Sequence, residues 1–296
     1  MFLGPEGLRY GWRFFFFAFG IWLAGEFVEV PVVTFLATRS GADPSVLSAP
    51  ALIISELVSL TEVLLLTGVA ALLERRRLDS YGLPVAQAFG GLFWKGMLAG
   101  LAVILFVGGA MLVTGGMRIN GLALQGKETI YYSLFWLVAM ILVGVNEEYL
   151  FRGYALQSLW RAAGFWPAAL ITTGLFAGLH LSKPHENAMD IGMIFVLGLA
   201  LCLSVRQTGS LWWAVGWHTA FDFGQFFLVG SRNGGQTPVG HLFDATFPGP
   251  RWITGGELGT EASGFMVPAA IVTLIYVCRF LRVKESASSL ADDTSQ

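Results

Sequence analysis

The chain has 296 residues, of which 55% are hydrophobic and 13% charged, with a formal net charge of −2. Soluble domains carry about 25% charged residues, so this composition excludes a globule with a water-facing surface on every side. The near-neutral balance contains no basic stripe and gives no support to a nucleic-acid partner. The lipid bilayer is the partner it does imply.

Runs of roughly 20 apolar residues cross a hydrocarbon core of about 30 Å. Eight such segments are expected at about 12–37, 50–73, 92–115, 130–151, 165–181, 189–206, 210–230 and 263–282. In lipid each segment must satisfy its own backbone hydrogen bonds, which favours helices. The runs are too long and too uniformly apolar for barrel strands, which alternate. The expected fold is an all-α polytopic membrane protein with about eight transmembrane helices around a buried polar cavity. The first run follows Arg9 and Arg13, carries no small-residue cleavage pattern, and reads as a retained helix.

One transmembrane domain is expected over 1–284, with a Gly- and Pro-rich external loop at about 231–262 and a disordered polar tail at 285–296. With an even number of crossings, 12 of the 18 Lys and Arg residues fall on the side of the termini and 6 on the other. That split predicts a multi-pass protein of the cell membrane with both termini cytoplasmic. Cys202 and Cys278 lie inside apolar segments and read as buried small hydrophobes rather than a disulfide.

Ionisable groups inside membrane helices are costly, which marks them as functional candidates. Three motifs in the second half of the chain carry them: Asn146-Glu147-Glu148-Tyr149-Leu150-Phe151-Arg152, Phe176-Ala177-Gly178-Leu179-His180 and His218-Thr219-Ala220-Phe221-Asp222. A polar break at 182–187 separates the last two, and Asn187 within it is a candidate to shape the site. Residues four apart share a helix face. Glu148 can therefore pair with Arg152, His218 lies beside Asp222, and Phe176 can pack against the His180 ring. Glu147 is about 100° away from Glu148 and can face a different cavity. A carboxylate with two imidazoles can run hydrolysis, the carboxylate taking a proton from water and imidazole orienting that water or stabilising an oxyanion. The same groups, with His180, His218 and Asp222 as ligands, are also compatible with zinc.

The glutamate pair followed by Arg, then Phe-x-x-x-His, then His-x-x-x-Asp, resembles the CPBP intramembrane peptidases, the group of the type II CAAX prenyl endopeptidases and the bacteriocin-processing and lysostaphin-resistance proteins. Phe151-Arg152-Gly153-Tyr154 and Thr208-Gly209-Ser210-Leu211-Trp212 add to the likeness, which covers about 130–225. The resemblance implies an intramembrane endopeptidase acting on a membrane-associated or lipidated protein substrate, either glutamate-dependent or a metalloprotease. On that likeness Glu147 activates water, His180 helps to position it, and His218 with Asp222 stabilises the oxyanion. Glu148 and Arg152 hold the helix in place. Family members often carry Asn where this chain has Asp222, and an ionised Asp cannot donate to an oxyanion.

Other readings stay open at this level. Glu148 and Arg152 can form an interfacial ion pair, Glu147 can reach the headgroups, and intramembrane histidines often bond neighbouring helices. His185 and His241 fall in loops and read as solvated. Glu26, Glu29, Glu56 and Glu62 have no assigned role and motivate a rival, a proton-coupled carrier. A non-catalytic immunity or scaffold protein on the same fold is a third reading. Straight alternating helices would also put Glu147 and His180 at opposite membrane faces. Their meeting requires either a fourth helix that continues past Arg152 or a re-entrant later segment.

Overall fold

Peptide groups in hydrocarbon find no water, so apolar segments close their own hydrogen bonds as helices. The computed structural model describes residues 3–4, 7–185 and 187–281. Helix α1 (Tyr10–Ala24) passes through a π-helical turn (Gly25–Glu29) into α2 (Val30–Ser40), which ends at a left-handed Gly41. Then come α3 (Ala49–Glu74), α4 (Gly91–Val113) and α5 (Lys127–Glu148). A second π-helical turn (Tyr149–Ala155) joins α5 to α6 (Leu156–Ala163). Helices α7 (Phe165–His180), α8 (Ala188–Thr208) and α9 (Trp212–Phe223) follow, and α9 continues in a π-helical turn (Gly224–Val229). The short α10 (Arg251–Thr254) and α11 (Met266–Phe280) complete the helices among the described residues.

This is a polytopic helical membrane protein. Among the described residues five helical stretches are long and apolar enough to cross a bilayer: Tyr10–Ser40, Ala49–Glu74, Gly91–Val113, Lys127–Ala163 and Ala188–Thr208. The expected segments at 165–181, 210–230 and 263–282 are helical but shorter, with α7 at 16 residues, α9 at 12 and α11 at 15. Helix α9 is buried along nearly its whole length, so protein, not lipid, determines its extent. The fourth segment departs most from expectation. It runs on to Ala163 instead of ending near 151.

The all-α expectation also needs amendment, because short strands tie the loops together. Arg118–Leu122 pairs antiparallel with Phe243–Thr246, and Val46–Leu47 pairs parallel with Thr237–Pro238. The loop at 231–262 is thus pinned to the segments after α2 and α4. Cys202 is buried as expected, but Cys278 is exposed on α11, where an apolar thiol can face lipid. The expected tail at 285–296 lies outside the described residues.

Close approach of backbones sets the position of α9. A Cβ added at Gly96 or Gly100 of α4 would strike the carbonyl oxygen of Trp213 or Trp217, and one at Gly216 would strike that of Phe93. Small residues four apart permit this contact between membrane helices. On the other flank, a Cβ at Gly144 of α5 would lie 2.9 Å from Thr219 Oγ1, whose hydroxyl donates to the Met140 carbonyl at 3.3 Å. Wedged between α4 and α5, α9 has little freedom to rotate, and the direction of His218 is fixed with it. Gly100→Leu should therefore destabilise the protein by roughly 3 kcal/mol, the upper part of the usual overpacking range. Gly109→Ala, where an added Cβ meets nothing within 4 Å, should leave the thermal transition in detergent unchanged.

Candidate active site

The depth conflict between Glu147 and His180 disappears once α5 is followed past Arg152. The chain reverses at Gly164, which has a φ of 88° that glycine tolerates best. Glu147 lies 17 residues before that turn and His180 lies 16 after it. The two are thus nearly equidistant from it along the chain. The rings of Phe151 and Phe176, 5.1 Å apart, mark the shared level. The continuing fourth helix, one of the two solutions open to the sequence, is the one adopted.

The π-helical turn after Glu148 includes a non-helical residue, Gly153 (φ −78°, ψ −115°). Arg152 is buried within this turn, and its Nη1 donates to Glu148 Oε1 at 3.2 Å. Both side chains are wholly inaccessible, so the pair is buried within the protein. The guanidinium carbon lies 4.5 Å from the Phe176 ring centroid, a cation–π contact with α7. On α8 a Cβ at Gly198 would stand 2.9 Å from Arg152 Nη2, so glycine makes room for the charge.

Glu148 also receives His218. The imidazole Nδ1 donates to Glu148 Oε1 at 3.0 Å, since a carboxylate can only accept. The other nitrogen, Nε2, stands 3.6 Å from Glu147 Oε2 and 3.4 Å from Asp222 Oδ2. Glu147, His218 and Asp222 thus converge on one spot. The Glu147 side chain keeps 31% of its surface accessible, against 12% for His218 and 13% for Asp222. That leaves one side of the cluster open to a small molecule such as water.

His180 forms no hydrogen bond or ion pair with Glu147, His218 or Asp222 among the described residues. Its Nδ1 donates to the Phe176 carbonyl one turn back, at 2.9 Å, and its ring meets the Phe176 ring edge-on at 4.9 Å. In the neutral ring this leaves Nε2 as an acceptor. Asn187, expected to shape the site, caps α8: its Oδ1 accepts from Met189 N and Asp190 N, and its amide donates to the Asp190 carboxylate. His241 is half-buried, with Nδ1 donating to the Pro238 carbonyl.

One site contact was not anticipated. Asn146 Nδ2 donates to Glu56 Oε2 at 2.8 Å, which draws α3 against the residue preceding Glu147. An acid at mid-segment in a span is the signal that marked Glu56, but nothing in its spacing names Asn146 as partner. The metal reading fares less well. Among the described residues no three His, Cys, Asp or Glu side chains are arranged to hold a metal ion, and the set His180, His218 and Asp222 does not converge.

Residues 129–224 match the protein-family model described as Type II CAAX prenyl endopeptidase Rce1-like. The chain carries an Rce1-like domain. That domain spans about a third of the chain, from the start of α5 to the end of α9. It includes Glu147, Glu148, Arg152, Phe176, His180, His218 and Asp222, whereas Glu56 lies outside it. Comparisons with curated proteins and with solved structures returned no match.

Within the Rce1-like domain, Arg152 carries the sharpest stability prediction. Removing one partner of a buried ion pair costs about 3–5 kcal/mol, because the other charge is stranded. Arg152→Met should lower stability by that amount in equilibrium unfolding. Gly198→Ala, which crowds the guanidinium without removing it, should cost less.

Proposed function

We propose that this protein is an intramembrane endopeptidase that hydrolyses a peptide bond in a membrane-associated or lipidated protein substrate. One observation carries the reading: Glu147, His218 and Asp222 meet within 3.6 Å of the His218 Nε2 atom, inside a domain of a peptidase family.

The contacts support the following roles. Glu147 is the most accessible of the three acids around His218 and takes a proton from water, which attacks the scissile carbonyl. His180, its Nδ1 donating to the Phe176 carbonyl, is assigned to help position that water through Nε2. His218 in its charged form donates from Nε2 to the developing oxyanion while Glu148 holds Nδ1. Asp222, at ion-pair distance from Nε2, orients the imidazole rather than donating to the oxyanion. The proton gained by Glu147 then passes to the leaving amine. No step is routed through a metal, since the donor set expected for zinc does not come together.

The Glu56–Asn146 bond favours one feature of the carrier reading, a second membrane acid next to the site. The two are separable in proteoliposomes. The peptidase reading expects peptide cleavage that does not depend on a proton gradient, whereas gradient-driven uptake without cleavage favours the carrier.

Purified protein should cleave a fluorogenic peptide library, and Glu147→Gln should lower the rate by at least 10²-fold, the lower bound for a general base. The variant should retain the wild-type thermal transition, because Glu147 is partly exposed. Full activity in Glu147→Gln would overturn the assignment. Treatment with o-phenanthroline should leave the wild-type rate unchanged, and inactivation that zinc reverses would restore the metalloprotease reading.

A further inference from the structure

Away from the candidate active site, a slot of about 540 Å³ runs between α4 and α11. Trp213 of α9 forms part of its wall and stacks on Tyr276 at 6.1 Å. His218 stands five residues further along α9, which is about 140° around the helix. The slot and the Glu148 cluster therefore occupy different faces of α9.

The slot follows the two helices lengthwise. Its lining extends from Lys95 to Phe106 on α4 and from Pro268 to Tyr276 on α11. The eleven helical steps from Lys95 to Phe106 cover roughly 16 Å, about half of a hydrocarbon core of about 30 Å. The slot is thus one leaflet deep. Leu98 and Val272 on its rim are exposed, so it opens to the surrounding lipid and not inward.

Its charge is confined to one end, and the Thr273 hydroxyl in its wall donates to the Ala269 carbonyl. Among the described residues Lys95 is the one charged group lining the slot, and no hydrogen bond or ion pair engages it. Lys95 stands early in α4, near the helix end, with Tyr276 at the same end of the slot. Arg279 lies one turn beyond Tyr276 on α11. A cation with no partner among the described residues, over an apolar trench one leaflet deep, is complementary to an anionic headgroup with an acyl chain beneath it. A free phosphate would have no use for the trench, and a zwitterionic lipid would gain less from the cation.

We propose that this slot is a binding site for a single anionic phospholipid, its phosphate at Lys95 and one acyl chain lying along α4 against Val272 and Phe106. The site is independent of the peptidase reading. A bound lipid would fill the gap between α11 and α4 and so brace the helix on which α9 rests.

Native mass spectrometry of the full-length protein, released from mixed vesicles of phosphatidylglycerol and phosphatidylcholine with identical chains, tests the proposal. The wild type should retain one phosphatidylglycerol in preference to phosphatidylcholine. Lys95→Gln should reduce that preference about five-fold, the worth of one cation at a membrane surface, and Lys95→Arg should restore it. Ala102→Trp fills the slot and should abolish retention of either lipid. Ala99→Leu gives a milder filling if the tryptophan variant does not fold. Equal retention of the two lipids by the wild type, or undiminished retention in a folded slot-filling variant, would overturn the proposal.

Discussion

A fully buried carboxylate governs the second half of this protein. Glu148 has no accessible side-chain surface, and its Oε1 receives both the Arg152 guanidinium and His218 Nδ1. A carboxylate stripped of water is tolerated only when paired and hydrogen-bonded. The two donors come from different elements, the π-helical turn after α5 and the middle of α9, so their shared acceptor at Glu148 Oε1 ties those elements together. Glu147 is the preceding residue on the same helix and is aimed by the same constraint. The pairing stabilises the fold and sets the direction of the candidate catalytic acid.

The constraint works because the helices around it are held by backbone contact. Glycines at 96, 100 and 216 let α4 and α9 touch main chain to main chain, and Gly144 does the same for α5. A helix packed this way transmits position with little play. The backbone departs from regular α geometry beside the candidate site, and π-helical turns often occur at such places. The Tyr149–Ala155 turn swings Arg152 inward beneath Phe176 and Gly198. The helix then continues far enough for α7 to return and bring His180 to the level of Glu147.

The sequence made some of this legible and hid the rest for identifiable reasons. Helical spans could be read from long apolar runs, since hydropathy reports the solvent directly. The pairing of Glu148 with Arg152, and of His218 with Asp222, could be read from four-residue spacing, a local property of the helix. The bond from His218 to Glu148 could not, because it joins residues 70 positions apart and depends on the rotation of α9. The length of the fourth helix is not legible at Arg152: a charge in an apolar run looks like a membrane boundary when its buried partner is not visible. Asn187 is polar and close to His180 in sequence, but its part in capping α8 depends on where the helix starts, which needs a side-chain acceptor there. Glu56 could be noticed yet not placed, because its partner Asn146 is on another helix.

The central claim is that water activated at Glu147 attacks a peptide carbonyl beside His218. It is tested most directly by a single turnover of a membrane-embedded peptide in ¹⁸O-labelled water, with mass spectrometry of the fragments and of the protein. The account predicts one labelled oxygen in the new carboxylate of the product and none in the Glu147 side chain. Label in Glu147, which would report a covalent intermediate, or the absence of any fragment from active, folded protein, would contradict it.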